Sequence, residues 1–119
     1  MQKQDDLELK DLSQYYGTQH YYNVFGVKVT DGVKYVMDNG YSWFVTDSVA
    51  VIRCKPEVRR EEFLTVELRL SEEADHEADL IITDGNENTL YRQHYRFTDA
   101  KRDLKLYFEN GVLLLPSER

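Results

Sequence analysis

A chain of 119 residues with 22 acids and 15 bases, net charge −7, has room for one hydrophobic core but too few bases for nonspecific nucleic-acid binding, which relies on neutralising phosphates. Its 41% hydrophobic content, with nine tyrosines, five phenylalanines and one tryptophan, excludes a disordered chain and predicts a single domain over residues 1–119. Cys54 is the only cysteine, no apolar run is long enough to span a membrane, and MQKQDDLELKDL lacks a signal-peptide core, so a cytoplasmic protein is expected.

Residues 5–16 read as a helix. Asp5 and Asp6 offer N-cap oxygens, Leu9, Leu12 and Tyr16 make an apolar stripe, and Gly17 stands at the C-terminal cap position. A loop follows, then a short strand around residues 27–30, with Asp31-Gly32 as a turn. VKYVMDNG, residues 33–40, predicts a short helix stopped by Asn39-Gly40. Residues 42–53 are rich in β-branched types, but Trp43, Phe44, Val45, Val49, Val51 and Ile52 occupy too many consecutive positions for an exposed alternating strand. They fit a buried helix, which Lys55-Pro56 ends.

The second half reads as strands. In FLTVELRL, Leu64, Val66, Leu68 and Leu70 alternate with Thr65, Glu67 and Arg69, giving one buried and one wet face. ADLIIT and LYRQHYRFT flank the turn-forming DGNEN and predict a hairpin. LKLYF and VLLLP flank Asn110-Gly111, a pair suited to a type I′ turn, and this register sets Phe108 opposite Leu113 and Leu106 opposite Leu115. The expected fold is α+β, with N-terminal helices packed on a C-terminal antiparallel sheet of four or five strands.

GTQHYY (17–22), DGVKY (31–35) and LYFENGVLLLP (106–116), with Trp43 and its apolar helix between them, resemble a family of small bacterial and mobile-element proteins of unknown function. The resemblance spans nearly the whole chain. It implies such an origin and carries no activity or site residues.

No residue pattern spells out chemistry. Asp84, Asn86 and Asn88 begin like a calcium loop, but Thr89 replaces the required glycine and Tyr95 the bidentate glutamate, which leaves an ordinary hairpin turn. His20, His76 and His94 lack metal-ligand spacing from one another or from Cys54, and no nucleophile motif or phosphate loop appears. No metal or cofactor is expected. An enzyme would have to build an unfamiliar site from Asp47, His20 or Cys54.

The charge itself is the stronger signal. No Lys or Arg lies between Arg69 and Arg92, while Glu72, Glu73, Asp75, Glu77, Asp79, Asp84 and Glu87 do, and these seven acids equal the net charge of −7. Tyr15, Tyr16, Tyr21 and Tyr22 crowd the end of the first predicted helix, where tyrosine suits either an internal seal or an interface. The expected function is noncatalytic protein–protein interaction, specifically inhibition or anti-defence through an acidic face. The acids, with Tyr15, Tyr21 and Tyr22, would engage a protein whose basic surface holds nucleic acid. No direct nucleic-acid or membrane contact is expected, and an alternative is a structural homo-oligomer paired through an edge strand.

Overall fold

A computed structural model describes residues 17–119, so the helix expected over residues 5–16 lies outside the described residues, as do Tyr15 and Tyr16. The first strands are β1 (Tyr22–Val24) and β2 (Val27–Val29), an antiparallel hairpin around Phe25-Gly26 with φ of 49° and 90°. β1 falls where the sequence reads as a loop. Its residues are exposed or half-buried, so no alternating apolar face marks it as a strand.

Asp31-Gly32, read as a turn, instead opens α1 (Asp31–Val36). Thr30 is the N-cap, and its Oγ1 accepts from the Val33 N–H at 3.3 Å. Asn39-Gly40 breaks the helix as its composition predicts: across Met37–Tyr41 the turn widens and both residues leave helical geometry. The chain then resumes as α2 (Ser42–Cys54), the helix expected from its apolar positions. Extended Lys55 ends it before Pro56, and a single turn, α3 (Pro56–Arg59), follows.

The remaining strands are β3 (Phe63–Leu70), β4 (Ala78–Thr83), β5 (Thr89–Tyr95), β6 (Leu104–Glu109) and β7 (Val112–Leu114), before a 3₁₀ turn at Pro116–Glu118. They form one sheet in the order β1-β2-β7-β6-β3-β4-β5, antiparallel except where β2 runs parallel to β7. The α+β class stands, but the four- or five-stranded antiparallel sheet becomes a seven-stranded mixed one. The described helices lie between β2 and β3 in the chain rather than ahead of every strand. Strands of three residues carry too little pattern to declare themselves, and no local signal announces a partner as remote as β7 is from β2.

The helices cover one face of the sheet. Phe44, Val45, Val49 and Ile52 of α2 join Leu64, Val66, Leu68, Leu80, Ile82, Leu106 and Leu113 in one buried cluster. The β6–β7 hairpin has the expected register, with Phe108 opposite Leu113, and Leu106 and Leu115 are both buried beyond the paired residues. Asn110 and Gly111 have φ of 56° and 79°, as a type I′ turn requires. A Cβ at Gly111 would meet nothing within 4 Å, so Gly111→Val should act through backbone strain alone. The expected loss is about 1–2 kcal/mol in urea denaturation. An unchanged midpoint would refute this account of the turn.

Candidate functional site

Side chains alternate along a strand, so the residues between the buried ones reach the face without helices. Register aligns them in rows. Lys105, Glu67, Ile81 and Arg92 lie side by side across β6, β3, β4 and β5, and Arg69, Asp79 and His94 form the next row on β3, β4 and β5. Arg69 Nε donates to Glu67 Oε1 at 2.7 Å, and Arg92 Nη2 to Asp79 Oδ2 at 2.6 Å. The His94 ring places Nδ1 2.7 Å from Asp79 Oδ1 and Nε2 2.9 Å from Glu77 Oε1.

Those contacts shift both titrating partners. The His94 hydrogen bond, helped by Arg92 and opposed by partial burial, holds the Asp79 carboxyl below the usual carboxylate range. Asp79 and then Glu77 push the His94 imidazole above its ordinary value, because an imidazolium donates from both nitrogens to the two carboxylates. Opposite charges laid across neighbouring strands add modestly to the pairing of β4 with β5.

Three adjoining hollows lie on this face and its rim, and Arg69 lines each of them. One, of about 370 Å³, runs between Arg69, Glu72, Glu73, Asp79, Arg92 and His94. A second, of about 390 Å³, lies toward the β4–β5 loop, between Thr65, Glu67, Thr83, Glu87 and Lys105. The third, of about 450 Å³, lies beside β6 and is bordered by Arg102, Lys105 and Pro116.

The seven acids of the segment do not make one face. Glu72, Glu73 and Asp75 are exposed on the β3–β4 loop, whereas Asp84 and Glu87 lie on the β4–β5 loop at the other end of β4. A six-residue strand separates the two loops by about 17 Å. Glu77 and Asp79 are engaged from β5, Asp79 by Arg92 and His94 and Glu77 by His94. Asp84 closes its own turn: Oδ1 accepts from the Asn86 and Asn88 N–H groups at 2.8 and 3.3 Å, and Oδ2 from Asn88 Nδ2 at 2.8 Å. The Asn88 side chain, then the Asn86 N–H, lowers the Asp84 carboxyl from its ordinary value.

The tyrosines lie apart from these acids. Tyr21 and Tyr22 are exposed at the β1 edge, across the sheet from β4 and β5, with Lys34 Nζ 5.5 Å from the Tyr22 ring. Asp47, His20 and Cys54 are not brought together as an enzyme would need. Asp47 accepts from the Tyr95 hydroxyl at 2.7 Å, Cys54 is exposed about 10 Å further along α2, and His20 lies 3.9 Å from Asp31. Among the described residues no group of three or more His, Cys, Asp or Glu is placed to hold a metal ion.

Arg69, Arg92 and Lys105 were not singled out in the sequence as site residues, and His94 was weighed there only as a metal ligand or a partner for Cys54. The alternation in FLTVELRL marks Arg69 as wet, but its neighbours across the sheet become visible only with the register.

A sheet covered by helices on one side and laced with charge on the other defines an α+β protein that offers a surface. The chain belongs to a family of unknown function, DUF6876, whose model matches residues 6–119. No curated protein and no solved structure matches it. No helix among the described residues is long and apolar enough to cross a membrane.

Proposed function

We propose that the protein is a noncatalytic interaction module whose β3–β4 loop meets the basic surface of a partner protein, one that ordinarily holds nucleic acid. The specific form of the proposal is an inhibitor of bacterial or mobile-element origin, acting in anti-defence. The observation that carries it is the presentation of Glu72, Glu73 and Asp75, which stand exposed on a loop tied down by its own backbone. Ser71 N–H donates to the Glu77 carbonyl at 2.9 Å, and Ser71 Oγ accepts from the Glu73 and Ala74 N–H groups at 3.2 and 3.0 Å. Thr98 N–H donates to the His76 carbonyl at 2.7 Å, and the His76 and Phe97 rings stack with centroids 5.0 Å apart. The backbone that carries these acids is ordered before binding, and their charge attracts a basic partner from a distance.

The test starts from a partner captured from bacterial lysate and compares association rates at low and physiological salt. Changing Glu72 and Glu73 to Gln and Asp75 to Asn should leave melting unchanged and slow association by about tenfold at low salt. The unaltered protein should also bind more slowly as salt rises, since exposed charges are screened beyond about 8–10 Å. Equal rates for both forms at both salts would sink the reading.

A further inference from the structure

A notch interrupts the sheet beside β6. β7 ends at Leu114, opposite Tyr107, so the first residues of β6 run on past the strand that pairs with the rest of it. Continuing the hairpin register would set Lys105 opposite Pro116, and proline has no N–H to give. The chain turns out of the sheet there, through the 3₁₀ turn at Pro116–Glu118. The Glu118 carboxylate holds that turn against the start of α1, accepting from the Gly32 N–H at 3.0 Å and the Leu115 N–H at 2.9 Å.

The unpaired stretch of β6, which the Pro116–Glu118 turn borders, has a defined polarity. In an antiparallel ladder, hydrogen-bonded pairs alternate with non-bonded ones. Glu109 and Val112 close the two-residue turn as a bonded pair, so Tyr107 and Leu114 are the next, and Lys105 follows on β6 without a counterpart. The Lys105 N–H and C=O therefore point into the notch.

The side chains around it set a charge. Arg69, Arg102 and Lys105 face Glu67 and Asp103 across a hollow of about 450 Å³. Both acids are already engaged, Glu67 by Arg69 Nε at 2.7 Å and Asp103 by the Leu70 N–H at 2.9 Å. Arg102 and Lys105 are exposed and form no ion pair among the described residues. Arg102 Nε reaches the Asp103 carbonyl at 3.4 Å, and Lys105 Nζ lies 5.4 Å from the Tyr107 ring centre. In a chain of net charge −7, the lining of this hollow carries three bases against two acids, a local excess of one positive charge.

We propose that an extended, acidic segment of a partner protein adds to β6 in this notch, bonding the Lys105 main chain and placing carboxylates against Arg102 and Lys105. Strand addition supplies affinity through the backbone, and the two bases select for acids. The site uses none of Glu72, Glu73 or Asp75, so it and the loop proposal fail separately.

The test is amide-resolved NMR on the full chain with three probes: the peptide Thr-Glu-Val-Glu-Val-Glu-Thr, its lysine counterpart and inorganic phosphate. In the free protein the Lys105 amide should exchange at least about tenfold faster than that of Tyr107. The acidic peptide should slow this exchange and shift the amides of residues 104–106, while the lysine peptide should not. Arg102→Gln with Lys105→Gln should weaken peptide binding by about tenfold without changing melting. Glu72→Gln with Glu73→Gln should leave it unchanged. A Lys105 amide already protected in the free protein would show a closed edge and overturn the proposal. So would the acidic peptide shifting other amides or none, or phosphate alone reproducing the shifts, which would mark an anion site without strand addition.

Discussion

Replacing Phe44 by alanine is expected to lower the unfolding free energy by about 3–5 kcal/mol. Phe44 lies in the first turn of α2 with 0% of its surface exposed, and it joins the helix to the buried residues of the central strands. Removing the ring forfeits its transfer from water and leaves a hole that the surrounding helix and sheet can fill only in part. A loss of that size is a large fraction of the stability of an ordinary domain. The measurement is urea denaturation followed by fluorescence of Trp43, whose ring lies 6.3 Å from Phe44 and 5.0 Å from Tyr95. A loss below about 1 kcal/mol would mean that α2 is not seated on the sheet through this side chain.

The second large effect is expected at Glu118, where Glu118→Ala should cost about 3 kcal/mol. Its carboxylate accepts from the Thr30 hydroxyl and from the Gly32 and Leu115 N–H groups, and so fastens the last turn to the entry of α1. Truncation strands donors in a place where water has little access, since Thr30, Gly32 and Leu115 are all buried. Leaving a buried donor unmet costs more than making the bond returns. Glu118→Gln keeps one acceptor oxygen and should lose about half as much. Thermal melting of the two variants checks the order, and equal melting of Glu118→Ala and the unaltered chain would show that the contact does not hold the two segments together.

Gly32 shows where sequence reasoning stops. Beside Asp31 it reads as a turn, yet it is helical, and a Cβ there would come within 2.6 Å of Leu115 Cδ1 and 2.8 Å of the Glu118 carboxylate. Local chemistry identifies a glycine that permits a turn, but a glycine that admits a remote side chain looks the same. Elements with strong local pattern were legible. The apolar positions of 42–53 give α2, alternation gives β3, and Asn110-Gly111 gives the last hairpin with its register. β1 and the parallel partnership of β2 were not, because three residues hold no period and a neighbour far along the chain leaves no nearby mark. The candidate site behaved likewise. The run of acids from 72 to 87 was plain to read, but the pairing of Asp79 with Arg92 and His94 depends on cross-strand register, as does the separation of Asp84 and Glu87 from Glu72.

The parallel pairing of β2 with β7 also fixes an order of events in time. A nascent chain presents β2 well before β7, so the inner edge of β2 stays without its neighbour while α2 and the strands from β3 to β7 are still being made. The β3–β4–β5 meander and the β6–β7 hairpin join strands close in sequence and need only short loops to close. Lys28 meeting Val112 closes by far the longest loop of the sheet, a contact whose entropy is spent before it returns any stability. The amino-terminal hairpin therefore depends for its place in the sheet on a strand synthesised roughly eighty residues after it.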